Sequence, residues 1–227
     1  MPSFATVVFD LDGTLADTMP DILSALNRVM AEESLREISY AEGRTLVGGG
    51  ARALMEMALA ATAPGKLPEA TIDACYARFL DYYRAEPAVR SRPYPGVIEA
   101  LSSLRAAGCG LGVCTNKPHD LTLEVLAGLG LAEFFGDAVL GGDALEVRKP
   151  DARHLRAVIA RAGTAAGTSA MVGDSETDVA TARAANVPVI AVSFGYTALA
   201  PADLGADALI DHFGELGDAL DRLAGKR

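Results

Sequence analysis

Short, wholly apolar runs recur along this chain, separated by longer stretches in which apolar residues return every three or four positions. Thr6–Phe9, Leu111–Cys114, Ala138–Leu140, Ala170–Val172 and Val189–Val192 are of the first kind. Their β-branched content and lack of alternation predict strands buried on both faces. Gly96–Ala106, His119–Leu129, Ala152–Ala162 and Thr177–Ala185 are of the second kind and predict helices. Strands joined by crossover helices predict an α/β fold with a Rossmann-like parallel sheet at its core.

Residues 18–91 break this rhythm, because they offer helical spacing and no convincing strand. Asp21–Glu33 carries Ile22, Leu26, Val29 and Met30 along one side. Ser39 and Glu42 match a capping box, Gly48, Gly49 and Gly50 interrupt the next helix, and Ala51–Ala60 resumes it. Glu69–Arg84 is helical again. The stretch Arg90–Gly96, with two prolines and a glycine, predicts a return linker unable to continue either element. The chain is therefore expected to form a core from residues 1–17 and 92–227 with an all-helical cap inserted at 18–91.

Composition narrows the partners. Half of the 227 residues are hydrophobic, so a sizeable core is expected, and the formal net charge of -10 disfavours nucleic acid and anionic membrane as partners. Met1–Thr6 has no basic region and no apolar stretch long enough to span a bilayer is present, so a cytoplasmic protein is expected. Cys75, Cys109 and Cys114 lie in apolar contexts without a Cys-x-x-Cys pair and are expected to be reduced core thiols.

In an open parallel sheet, ligands bind beyond the carboxyl ends of the strands. After the first strand stand Asp10, Leu11, Asp12, Gly13 and Thr14, and after the second Thr115, Asn116, Lys117 and Pro118. Arg148, Lys149 and Pro150 follow the third, and Asp174 to Asp178 the fourth. The i, i+2 spacing of Asp10 and Asp12 puts both side chains on one side of an extended backbone, roughly 6–7 Å apart at their attachment points. Two acids there repel each other and any phosphate dianion, so a cation is required. Asp174 is the natural third oxygen donor, and an all-oxygen set suits Mg2+. Lys149 adds a fixed positive charge, while Thr115 and Asn116 can donate neutral hydrogen bonds to phosphoryl oxygens.

Taken together, Asp10-Leu11-Asp12-Gly13-Thr14, Thr115-Asn116, Lys149-Pro150 and Gly173 to Asp178 resemble the four signature motifs of the haloacid dehalogenase superfamily, in order. The helical insertion matches the position of that superfamily's cap. The resemblance implies that Asp10 is the nucleophile that becomes an aspartyl-phosphate, and that Asp12 is the acid and then the base. It implies that Thr115 and Lys149 bind the phosphoryl group. Mg2+ would be held by the Asp10 side chain, the Asp12 carbonyl and Asp174, with Asp178 supporting it from the second shell. It also implies a cis Lys149–Pro150 peptide.

The finer wording resembles the phosphoglycolate phosphatase branch: Val47 to Met55, Val113 to Pro118, Gly141-Gly142-Asp143 and Phe194-Gly195-Tyr196 share its style. This implies hydrolysis of 2-phosphoglycolate, with another small phosphorylated metabolite, such as a sugar phosphate or pyrophosphate, as the alternative. A phosphosugar mutase and a non-catalytic module are weaker rivals. Gly48, Gly49, Arg52 and Asn116 are expected to contact substrate, although Arg52 could instead pair with Glu56. Arg148 competes with Lys149 for the phosphate, and the oligomeric state is left open between monomer and homodimer.

Overall fold

The computed structural model describes residues 4–163 and 169–225. Most of the loop expected between Ala162 and Ser169, and the outermost ends of the expected core, lie outside the described residues. The chain runs β1 (Thr6–Phe9), β2 (Ala16–Asp17), α1 (Met19–Glu32), α2 (Tyr40–Leu46), α3 (Ala51–Thr62), α4 (Glu69–Ala85), β3 (Arg92–Pro93) and α5 (Val97–Ala106). It continues through β4 (Gly110–Cys114), α6 (His119–Gly128), α7 (Ala132–Phe135), β5 (Val139–Leu140), α8 (Ala152–Arg161), β6 (Ser169–Gly173), α9 (Glu176–Ala185), β7 (Val189–Val192), β8 (Ala208–Ile210) and α10 (Leu216–Ala224).

Six strands form a parallel sheet in the order β5-β4-β1-β6-β7-β8. Alternation within the buried strands assigns residues to two faces. Val7 and Phe9 of β1 join the larger apolar cluster with Leu111, Val113, Ala170 and Val172, whereas Val8 joins a second cluster with Met171, Leu155 and Val158. Each face thus has its own covering helices, as the unbroken apolar runs predict.

The strand order reverses at β1, since the chain steps outward to β4 and β5 and then returns to β6 on the other side. The register aligns Phe9 with Val113 of β4 and with Val172 of β6. Asp10, Cys114 and Gly173 therefore leave the sheet at one level, and a crevice opens there by topology alone.

Helices α1 to α4 pack on one another, most extensively α1 on α4. Ser39 and Glu42 form the expected capping box: the Ser39 hydroxyl accepts from the Glu42 N–H, and the Glu42 carboxylate accepts from the Ser39 N–H. The return crossing differs from the expectation. Arg92 and Pro93 do form a strand, pairing antiparallel with Asp17 and Ala16. A two-residue edge ribbon tolerates proline because the missing N–H faces away from its partner. Asp21, only 3% exposed, ties this crossing to α1. Its carboxylate accepts from the N–H of Arg90 (3.0 Å), and from the N–H (2.7 Å) and hydroxyl (2.6 Å) of Ser91.

The strand β8 and helices α7 and α10 were not visible in the periodicity; β8 is short and half-exposed at the sheet edge. All three cysteines are buried and free. No described helix is long and apolar enough to cross a membrane.

Candidate active site

Immediately after β1 the chain wraps around a single carbonyl: the N–H groups of Thr14, Leu15 and Ala16 all point at Leu11 O. Gly13 takes φ +81°, and a Cβ there would run into the Asp174 carboxylate and the Tyr196 ring. Glycine is thus required for both the turn and the close approach of the β6 exit. Asp174 is held from two sides, by the Thr14 hydroxyl (2.8 Å) and the Tyr196 N–H (2.5 Å). Asp178 closes the N-terminus of α9 in a capping box with Ser175, and its second oxygen lies 2.6 Å from Lys149 Nζ.

Lys149 sits between two acids, with Asp10 Oδ2 at 2.9 Å and Asp178 Oδ1 at 2.6 Å. Arg148 beside it is exposed, so the buried ammonium belongs to Lys149. The Lys149–Pro150 peptide is cis. Burial opposes charge on this lysine, but Asp10 and Asp178 outweigh it and hold the ammonium protonated well above its ordinary range. Burial pushes the Asp10 carboxyl up to about 6, against the pull of Lys149. Asp174 is raised well above the carboxylate range, first by burial and then by repulsion from Asp178 and Asp10.

Single oxygens of Asp10, Asp174 and Asp178 lie within 4.8 Å of one another. Three buried carboxylates facing one lysine leave an excess of negative charge, which is the condition a divalent cation relieves. An all-oxygen donor set fits a hard cation better than a soft one.

Asp10, Asp12, Thr115, Asn116, Gly48 and Gly50 all line one cavity of about 40 Å³ between the sheet rim and the helices. Thr115, 2% exposed, accepts from the Lys117 N–H, so its own O–H remains to donate into the cavity. Asn116 departs from its expected role as a donor. Its amide N–H groups are committed to Gly48 O and Lys149 O, both at 3.1 Å, and its buried Oδ1 is without a partner. It therefore ties the helical segment to the lysine loop. Gly50, at φ +91°, caps α3 where a Cβ would meet Asn116 O, so the glycine run permits the two segments to touch.

Of the residues expected at the site, Lys149, Asp174, Asp178, Gly49 and Arg52 are absent from the lining of this cavity; the first three form the charged cluster with Asp10, and the other two lie elsewhere. Gly49 is exposed and is absent from the lining. Arg52 turns outward, where it bonds Glu56 at 2.9 Å, Asp73 at 2.6 Å and Glu69. Its charge is matched three times over on the surface, so the alternative pairing with Glu56 is formed.

Sequence reasoning passed over Lys117 and Tyr83. Lys117 Nζ lies 3.0 Å and 3.2 Å from the two Asp12 oxygens and 2.6 Å from Tyr83 Oη. Thr18 donates to the same carboxylate at 2.6 Å. The position of Lys117 two residues after Thr115 was the available signal, but its partners come from segments distant in sequence.

The sequence profile described as haloacid dehalogenase-like hydrolase matches residues 7–192. A phosphoglycolate phosphatase of Agrobacterium fabrum is 46% identical over 219 residues, covering 96% of this chain and 93% of that one. One from Caulobacter vibrioides is 46% identical over 209 residues, covering 92% and 87%. The crystal structure of a predicted phosphoglycolate phosphatase from Haemophilus somnus is similar with a TM-score of 0.90 at 30% identity, covering 96% of this chain and 99% of that one.

Proposed function

Because this chain belongs to the haloacid dehalogenase-like hydrolases, we propose that it is a Mg2+-dependent phosphatase that hydrolyses 2-phosphoglycolate to glycolate and phosphate. The observation that carries the phosphatase reading is Asp10 itself. It stands at the point where the strand order reverses, 2.9 Å from a buried lysine, on the wall of a cavity it shares with Asp12 and Thr115. The substrate reading draws on relatives of that name that align over most of both chains.

In this mechanism an Asp10 carboxylate oxygen attacks phosphorus while Asp12 protonates the departing ester oxygen, leaving glycolate and an aspartyl-phosphate. Asp12, now a carboxylate, takes a proton from water, and the resulting attack on phosphorus frees Asp10 and inorganic phosphate. Lys149 and the Thr115 hydroxyl hold phosphoryl oxygens as charge moves between them. Asp10, Asp174 and the main-chain carbonyl of Asp12 would hold the metal, with Asp178 supporting the site from behind. When bound, Mg2+ neutralises the carboxylates and the phosphate so that one anion can approach the other.

Residues 18–91 act as a cap over this rim. Asn116 bonded to Gly48 and the apolar side chains of α1, α3 and α4 would shield the intermediate from bulk water. The substrate is a small phosphorylated metabolite, in keeping with the named activity of the relatives and with a cavity confined between the sheet rim and the helices.

The test compares kcat/KM for 2-phosphoglycolate, pyrophosphate and hexose phosphates, with Asp10→Asn alongside. 2-Phosphoglycolate is expected to lead by at least tenfold, and Asp10→Asn to lose about 10⁴-fold or more. Retained turnover in Asp10→Asn would refute the nucleophile, and preference for another ester would refute the substrate.

A further inference from the structure

The mechanism leaves one buried cation without a task. Lys149, which serves the phosphoryl group, is paired with two carboxylates of the sheet rim, Asp10 and Asp178. Lys117 is the cationic residue of the described cavity wall, whose remainder beyond Asp10, Asp12, Thr115 and Asn116 is largely apolar, with Ile22, Leu54, Phe79 and Leu121 among it. The Lys117 side chain is 3% exposed. Its ammonium lies over the Tyr83 ring, 4.3 Å from the centroid, and has a single carboxylate partner, Asp12. A buried ammonium with one carboxylate, on the wall of a ligand cavity, has electrostatic capacity for a second anion.

We propose that Lys117 receives the carboxylate of the leaving group and is the residue by which this protein favours phosphate esters bearing a carboxylate one carbon from the ester oxygen. The proposal rests on the 2-phosphoglycolate reading. Asp12 must touch the ester oxygen to protonate it. In glycolate the carboxylate is separated from that oxygen by one methylene, so its oxygens lie within about 3–4 Å, given bonds of about 1.5 Å. A cation that binds it must therefore sit beside Asp12, and Lys117 Nζ lies 3.0 Å from the Asp12 carboxylate. The ammonium donates to both oxygens of Asp12 and to Tyr83 Oη, so a ligand carboxylate takes over one of the two Asp12 contacts while Asp12 stays paired through the other. The apolar wall admits the methylene, and Arg52, committed to surface acids, is no competing anchor.

The experiment measures kcat/KM for 2-phosphoglycolate and for 2-hydroxyethyl phosphate, which carries a hydroxyl in place of the carboxylate. Wild type is compared with Lys117→Met, Lys117→Gln and Lys117→Arg. Whatever loss the two esters share through Asp12, the ratio of the two values is expected to fall about 10- to 100-fold in Lys117→Met, the size of one charge-assisted hydrogen bond. The change should fall mainly on KM, and Lys117→Arg should recover part of it. Lys117→Gln, which can still hydrogen-bond Asp12 without a charge, gives the same reading should Lys117→Met fail to fold. A wild-type preference that survives both neutral variants overturns the lysine assignment alone. A wild-type protein that hydrolyses both esters equally overturns the substrate reading, and this proposal with it.

Discussion

The strand-end rim and the helices that face it hold their charges in opposite ways. On the rim, Asp10, Lys149, Asp174 and Asp178 are each at most 7% exposed and each touches another charged or hydroxyl group of the core. On the helices, Arg52 and Arg78 gather acids on the outer surface with side chains about one third exposed, where ion pairs contribute little. Toward the cavity the helices present Ile22, Leu54, Phe79 and Tyr83. Chemistry is thus placed on backbone that the sheet register fixes, while the covering helices supply shape, dryness and one phenol. Lys117 is the exception that connects them, a core residue whose ammonium rests on Tyr83 of α4.

That contrast breaks most severely if the carboxylate cluster is not a cation site. Chelation by EDTA, or Asp174→Asn, is expected to reduce phosphatase activity by about 10³-fold or more, and added Mg2+ should restore the chelated wild type but not the variant. Full activity in EDTA would remove the reason for three acids to be buried together.

The crossing between rim and helices comes next. Asp21→Ala leaves the buried Ser91 N–H and hydroxyl and the Arg90 N–H without their acceptor, and a loss of about 3–4 kcal/mol in urea unfolding is expected. A change under 1 kcal/mol would mean that α1 does not depend on this clasp.

A smaller effect is expected from His154 on α8. Both ring nitrogens are buried without a hydrogen-bond partner, and burial, reinforced by Lys149, pulls the imidazole down to about 4. The folded chain resists a proton that the unfolded chain accepts near pH 6.5, so stability is lost as pH falls from 6.5 to 4 and the loss is complete below that. Unfolding measurements across this range should show wild type losing about 2–3 kcal/mol of stability relative to His154→Leu between pH 6.5 and pH 4. Parallel curves would place the ring in contact with water.

The smallest effect sharpens the surface side of the contrast. Arg52→Ala is expected to leave kcat/KM for 2-phosphoglycolate within about twofold and the unfolding midpoint essentially unmoved, because its partners are solvated acids. A tenfold rise in KM would return Arg52 to the substrate.

Local pattern made the sheet legible. Buried strands such as β1 and β6 are continuous apolar runs, and the capping box of Ser39 and Glu42 marks where a helix starts. The edge strand β8 was missed because a half-exposed three-residue segment carries no such run, and α10 follows it in a stretch left unassigned. Of the site, the residues at strand exits could be read because topology sends every parallel strand end to one rim. The direction of Arg52 was left open because a helix residue next to a glycine loop looks the same in sequence whether it turns inward or outward.

By itself the sequence determined the parallel core, the helical insertion and which acids and lysine stand at the strand ends, since each can be read from local hydrophobic periodicity and from position just after an apolar run. Only the tertiary structure decided that Lys149 spans Asp10 and Asp178, that Asn116 commits its amide N–H groups to Gly48 and Lys149, and that Lys117 joins Asp12 to Tyr83. Those pairings link segments tens of residues apart, and burial, which makes an unpaired charge costly, selects among partners that the linear chain leaves equivalent.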